Sequence, residues 1–276
     1  MKCDACLQCK VRPSALTGEG QFHTVQYMRM PAEEVYAMTR NLLLRVSITS
    51  IRSSPVQPNP GSGLRLDKKR GNHLRRAIGT AEAMEAEKWK RTALLVIDMQ
   101  NDFIKAGGPM HVAGGKAIVP SVIQAVDVAR QRGMLVVWAV REHDSFGRDV
   151  ELFRRHLYGD GKEKPTTKGT YGAELVDGLI IREGDYKLVK TRFSAFFATN
   201  LHSLLQGAGI KSVVVVGVQT PNCVRQTVFD AVSLDYQPVT VIIDATAAAT
   251  PLVHNANIFD MKNIGVETPT LQEWCS

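Results

Sequence analysis

A chain of 276 residues with 44% apolar and 22% charged side chains has ordinary globular composition, with room for one large domain or two small ones. No apolar run approaches the ~20 residues that span a bilayer, and five cysteines are too few for a disulfide scaffold. The net charge of +7 falls entirely in residues 1–83, while residues 84–276 carry equal numbers of acids and bases, so the neutral part gives no electrostatic reason to expect a nucleic-acid or membrane partner.

Residues 1–83 read as a basic N-terminal extension, disordered or lying upstream of the true start. Ser53–Gly63 is rich in Pro, Ser and Gly, and Lys68-Lys69-Arg70 follows it; such composition does not offset the entropy of ordering. One stretch, Ala32–Val46, has Val35, Met38, Leu42 and Leu43 on one helical face. A second account is an organelle-targeting peptide, because residues 40–73 are poor in acids and rich in Arg and Ser, although Glu33, Glu34 and the early cysteines are atypical of one. Met84 stands directly before the first strand and marks the start of the folded domain, residues 84–276. The odd cysteine count suits a reducing compartment, so the expected location is cytoplasmic, or plastid or mitochondrion if the extension is a transit peptide. Cys3, Cys6 and Cys9 have metal-ligand spacing, but the nearest candidate for a fourth ligand is His23, no fold surrounds it, and the cluster reads as incidental.

From residue 91 the pattern alternates between strand and helix. Thr92–Ile97 is a continuous apolar run, as in a strand buried on both faces. Val119–Gln131 follows as a helix with Val122, Ile123, Val126 and Ala129 inward, stopped by Gly133. Met134–Val140 is the second strand and Lys187–Lys190 the third. Thr199–Gln206 is a helix with Leu201, Leu204 and Leu205 inward; Val213–Val216 is the fourth strand and Pro221–Leu234 a helix. Val239–Ile243 is the fifth strand, Pro251–Ile264 a helix, and Val266 opens a short last strand. Strands separated by helices imply parallel crossovers, hence an α/β fold: a three-layer, doubly wound parallel sheet of Rossmann-like type.

Ligands of such sheets bind beyond the carboxyl ends of the strands, which selects among the polar residues. Asp98 follows the first strand, Lys190 ends the third, Cys223 lies just past the fourth and Asp244 ends the fifth. Taken singly, each has an ordinary structural explanation: a turn aspartate, a solvated lysine, a small core thiol. An acid, an amine and a thiol at one sheet edge suit nucleophilic catalysis. The helix N-terminus and Lys190 are expected to favour thiolate at Cys223, and Asp98 to act as general acid–base. Backbone N–H groups in the turn Gly217–Cys223 are placed for an oxyanion. Asp244 reads as structural, and His111, His202 and His254 as surface residues.

The segments around these positions carry a family resemblance. Asp98-Met99-Gln100-Asn101-Asp102-Phe103 resembles the D-x-Q-N-D-F signature of the isochorismatase-like cysteine hydrolases, and Lys190–Phe196 their lysine motif. Gly217–Thr227 resembles their G-V-x-T-x-x-C-V-x-x-T turn, and Gly169–Leu175 and Asp244–Ala248 match as well, over residues 88–270 in one register. Within that family the chain resembles plant nicotinamidase-like proteins. The resemblance implies a catalytic triad of Asp98, Lys190 and Cys223, a cis peptide between Val218 and Gln219, and an oxyanion hole from the N–H groups of Gln219 and Cys223. It also implies a dimer or tetramer of identical chains.

The metal-dependent nicotinamidases carry Asp-x-His after the second strand, whereas this chain has Arg141-Glu142-His143-Asp144. A fixed cation in place of an aspartate, even with His143 and His156 present, makes a poor site for a divalent ion, so neither a catalytic metal nor another cofactor is expected. Arg141 either binds a substrate carboxylate, assisted by Arg148 or Arg154, or is salt-bridged to Glu142, Asp144 or Glu151. His143 is placed beside it as a substrate-binding residue, and Phe103 and Phe193 line the apolar part of the pocket or pack in the core. The expected activity is hydrolysis of a C–N bond in a small amide or ureido compound through a thioester. The competing readings are an inactive pseudoenzyme or ligand-binding protein, and a metal-dependent nicotinamidase.

Overall fold

The computed structural model describes residues 83–276. The expectations for the extension, including the Ala32–Val46 helix and the Cys3–Cys6–Cys9 cluster, lie outside the described residues. Among the described residues no helix is long and apolar enough to cross a membrane.

Five strands form one parallel sheet: β1 (Thr92–Ile97), β2 (Leu135–Arg141), β3 (Tyr186–Lys190), β4 (Ser212–Val218) and β5 (Val239–Ala247), in the order β3-β2-β1-β4-β5. The expected α/β class and parallel crossovers are present. Every residue of β1 is buried, because the strand is flanked on both edges and covered on both faces. Side chains alternate between two cores: Leu94 and Val96 face one, and Ala93, Leu95 and Ile97 face the other.

The first core is covered by helix α2 (Val119–Gln131), which follows the short α1 (Asn101–Ile104), and by the C-terminal α6 (Leu271–Cys275). The second is covered by α3 (Leu201–Gly207), α4 (Arg225–Ser233) and α5 (Pro251–Asn263). On α2 the inward stripe is Val122, Ala125, Val126 and Ala129; Ile123 is only half-buried, one step off the stripe. The chain winds outward through β2 and β3, then returns to the other side of β1 to lay down β4 and β5. The reversal opens a crevice at the carboxyl ends of β1 and β4.

Most boundaries shift by one or two residues, and three larger departures from expectation have local reasons. β5 runs on to Ala247, because its register against β4 jumps between Val215 and Gly217 and the strand resumes after an irregular stretch. Asp244 therefore lies within the strand rather than at its end, and its Oδ1 accepts from the Leu271 N–H at 2.6 Å, capping α6 as a structural residue. The segment after β4 starts as a π-helical turn, Thr220–Val224, before α4 begins at Arg225. The last strand is reduced to a bridge between Thr240 and Glu267.

Candidate active site

The crevice brings together residues from four strand ends. Asp98 follows β1 in the left-handed region, at φ 49°, a conformation that non-glycine residues occupy chiefly where the surroundings impose it. Lys190, last in β3, pairs in register with Arg141, last in β2. Its ammonium reaches past β2 to donate to Asp98 Oδ2 at 2.8 Å, and both side chains are 0% exposed. The other oxygen, Asp98 Oδ1, is buried without a hydrogen-bond partner. Cys223 lies in the π-helical turn after β4, the strand next to β1, and is 4% exposed. The Val218–Gln219 peptide is cis, and the Gln219 N–H has no acceptor among the described residues.

Cys223 opens onto a cavity of about 280 Å³ that is also lined by Phe103, Arg141, Arg154, Phe193 and Gln219. Larger clefts elsewhere on the chain hold none of this chemistry. Arg141 Nη2 lies 3.7 Å from the Cys223 sulfur, while Nη1 donates to Glu151 at 2.9 and 3.1 Å. Of the two expectations for Arg141, the salt bridge is present, and the same side chain lines the cavity. Of the three acids considered, Glu151 is its partner; Glu142 takes Lys187 and Asp144 takes Arg148. Arg148 is largely exposed and does not line the cavity, whereas Arg154 does.

His143 is buried behind Arg141 and outside the cavity lining. Its Nδ1 lies 3.2 Å from Asp149 Oδ1 and its Nε2 3.4 Å from Arg141 Nη1. A neutral ring with the proton on Nδ1 satisfies both. Burial and then the neighbouring guanidinium push its pKa below the ordinary imidazole value. His143, expected among the substrate-binding residues, instead lies outside the cavity lining and against Arg141. His202 and His254 are also not free surface residues: both are half-buried, against the Tyr236 hydroxyl and Thr220 Oγ1 at 3.0 and 2.9 Å. His111 is exposed, yet it borders the cavity mouth.

The expected thiolate is not favoured at rest. Burial raises the Cys223 pKa and the Asp98 charge raises it further, and Lys190 and Arg141 together do not reverse this. Desolvation of a sulfur anion outweighs the helix dipole and the nearby cations. Arg141 keeps its proton firmly: burial works against its charge, but the carboxylates of Asp98 and Glu151 beside it favour the charged form.

Several polar residues build the site without entering it. Gln100, fully buried, donates to the carbonyls of Arg141 and Ala173 and accepts from the Arg141 N–H, so it grips the end of β2. Asp102 accepts from the Thr166 N–H at 2.6 Å and packs so closely on Gly172 that a Cβ there would sit 2.2 Å from its carboxylate. Thr227 donates to the Cys223 carbonyl at 2.6 Å and accepts from the Ala195 N–H at 3.0 Å, tying the thiol turn to the segment after Lys190. These residues are present in the sequence motifs, but nothing in their spacing distinguishes a brace from a reactive group.

An isochorismatase-domain family model matches residues 92–273. The chain belongs to the isochorismatase family. A protein of Arabidopsis thaliana named a probable inactive nicotinamidase is 70% identical over 190 residues, 68% of this chain and 97% of the relative. The crystal structure of an isochorismatase family protein from Desulfovibrio vulgaris is 42% identical and superposes with a TM-score of 0.65, covering 67% of this chain and 96% of its own. The zinc complex of a pyrazinamidase from Pyrococcus horikoshii is 28% identical, with a TM-score of 0.57 over 65% of this chain and 99% of its own. Isochorismatase-family proteins thus share this fold.

Proposed function

We propose that this protein is a cysteine hydrolase that cleaves a C–N bond of a small amide or ureido compound through a thioester intermediate. The observation that carries the reading is the fully buried Lys190–Asp98 ion pair at 2.8 Å, set beside a thiol that opens into a small cavity.

Because burial and Asp98 raise the Cys223 pKa, attack needs a base, and Asp98 Oδ1 is free to serve while Lys190 holds Oδ2. The sulfur bonds to the substrate carbonyl carbon as its proton passes to Asp98. The resulting oxyanion is received by the N–H groups of Gln219 and Cys223; one such donor is typically worth ~10²–10³ in rate. Asp98 then gives the proton to the leaving nitrogen, the C–N bond breaks and the amine departs. Water attacks the thioester, again losing a proton to Asp98; the acid is released and the proton returns to sulfur.

The pyrazinamidase relative is a zinc complex, but the donor set here does not suit a divalent cation. The Arg141 guanidinium occupies the space in front of His143 Nε2, and Asp149 engages the other ring nitrogen. Among the described residues no cluster of three or more His, Cys, Asp or Glu has metal-binding geometry. No step is routed through a metal. The 70% identical relative is named a probable inactive nicotinamidase. A ligand-binding protein without turnover is the second reading, favoured by that name.

The test is ammonia release from a panel of small amides and ureido compounds, with mass spectrometry of the quenched enzyme. A covalent acyl adduct on Cys223 that disappears on further incubation supports the reading. Absence of both ammonia and adduct across the panel leaves the ligand-binding alternative.

A further inference from the structure

Two guanidinium groups, and no carboxylate, line the cavity in front of the thiol. Arg141 and Arg154 share one acid behind them: Glu151 accepts from Arg141 Nη1 at 2.9 Å, and its other oxygen lies 3.5 Å from Arg154 Nη1. One negative charge thus stands against two positive ones. The side chains of Arg141 and Arg154 are only 1% and 13% exposed, so water does little to balance the remaining charge. Buried donors are left over as well: Arg141 Nε and Arg154 Nη1 have no hydrogen-bond partner. Unpaired buried charge is costly unless something completes it. The Phe193 ring, 5.7 and 5.2 Å from the two guanidinium carbons, holds both groups at the cavity wall.

We propose that the substrate carries a carboxylate, which Arg141 and Arg154 receive, close in the molecule to the carbonyl that Cys223 attacks. This rests on the hydrolase reading above and narrows its substrate to short amido or ureido acids. A planar anion with two oxygens matches the fork of a guanidinium. The chain length follows from one contact. Arg141 Nη2 is 3.7 Å from the sulfur, an attacked carbon sits about 3–3.5 Å from its nucleophile, and a carboxylate oxygen lies about 2.7–2.9 Å from a guanidinium nitrogen. Scissile carbonyl and carboxylate are therefore neighbours, joined directly or through one or two atoms; a longer chain has to fold back on itself. A cavity of about 280 Å³, just under the usual lower limit of ~300 Å³ for ligand pockets, suits molecules of that size.

The experiment measures ammonia release by the full chain from oxamate, malonamate, succinamate and ureidoacetate, each against the neutral amide of the same size. The expected result is a kcat/KM at least about tenfold higher for the acids. Arg154→Met is expected to lower that value at least about tenfold more for the acids than for the neutral amides of the same size. Arg154 is the residue to vary because it does not touch the sulfur. Neutral amides turned over as well as the acids, or an Arg154→Met loss equal for both, overturns the proposal. Calorimetric titration of the Cys223→Ser variant with the same acids separates this proposal from the hydrolase reading. Acid binding that Arg154→Met abolishes, in a chain that releases no ammonia, keeps the carboxylate site and ends the hydrolase. No acid bound and none hydrolysed ends the carboxylate site, and the hydrolase reading falls with it only if no neutral amide is hydrolysed either.

Discussion

Replacing Lys190 with Met isolates what the buried ion pair does. The methionine fills much the same volume, so the change removes charge with little loss of packing. At 2.8 Å and an effective dielectric constant of ~20, the attraction between the two charges is about 6 kcal/mol. The cost of taking both from water offsets part of that, and deleting one member of a buried pair typically costs about 3–5 kcal/mol, because the other is left without a partner. For a domain of this size that corresponds to a fall in melting temperature of about 6–20 °C. Thermal unfolding of Lys190→Met, Asp98→Asn and the double variant by circular dichroism forms the cycle. Each single variant is expected to melt well below the parent, and the double variant to lose less than the two losses combined. A Lys190→Met melt within two degrees of the parent, or strictly additive losses, would refute the claim that these two side chains are each other's counter-ion.

Cys223→Ala is expected to keep the fold and lower turnover by up to ~10⁶; activity in that variant above about a hundredth of the parent's excludes the thioester route. Because burial and Asp98 raise the thiol's pKa, alkylation of Cys223 by iodoacetamide should still be rising above about pH 8.5, the ordinary thiol value; a plateau near neutrality contradicts this. Gly172→Ala, whose Cβ would meet the Asp102 carboxylate at 2.2 Å, should cost about 1–3 kcal/mol, and less once Asp102 is also Ala. His143 and His254 have lowered pKa values, the first from burial and Arg141, the second from burial. The folded chain then holds fewer protons than the unfolded one below about pH 6.5, so stability declines as pH falls from there toward the folded values. Melting temperatures from pH 7.5 to 5 should show the decline, and His143→Asn should flatten it; an unchanged slope removes His143 from the account.

Much of the molecule was legible in the sequence because its signals are local. An unbroken apolar run at Thr92–Ile97 identifies a strand covered on both faces, and the strand-end rule then picks out Asp98, Lys190 and Cys223. What escaped depends on distance or dielectric. The β5 extension past Asp244 follows from a register jump against β4, which local pattern does not encode. The thiol's protonation depends on how completely the fold strips water from the sulfur, and neighbouring charges read from sequence gave the opposite sign. His143 was placed at the substrate because it follows Arg141 by two residues; its ring turns back toward Asp149 instead. Gln100 and Asp102 were visible as letters of a motif, but their work is to hold backbone more than forty residues away.

The grip of Gln100 on the main chain of Arg141 has an evolutionary corollary. Since the amide secures the peptide at that point whatever its side chain, position 141 behaves as a socket into which different heads can be plugged without disturbing the sheet. Glu151, which takes the shortest contact from the guanidinium, depends most directly on which head is present. Lineages that exchange one recognition chemistry for another should therefore swap these two positions together, while the glutamine stays fixed.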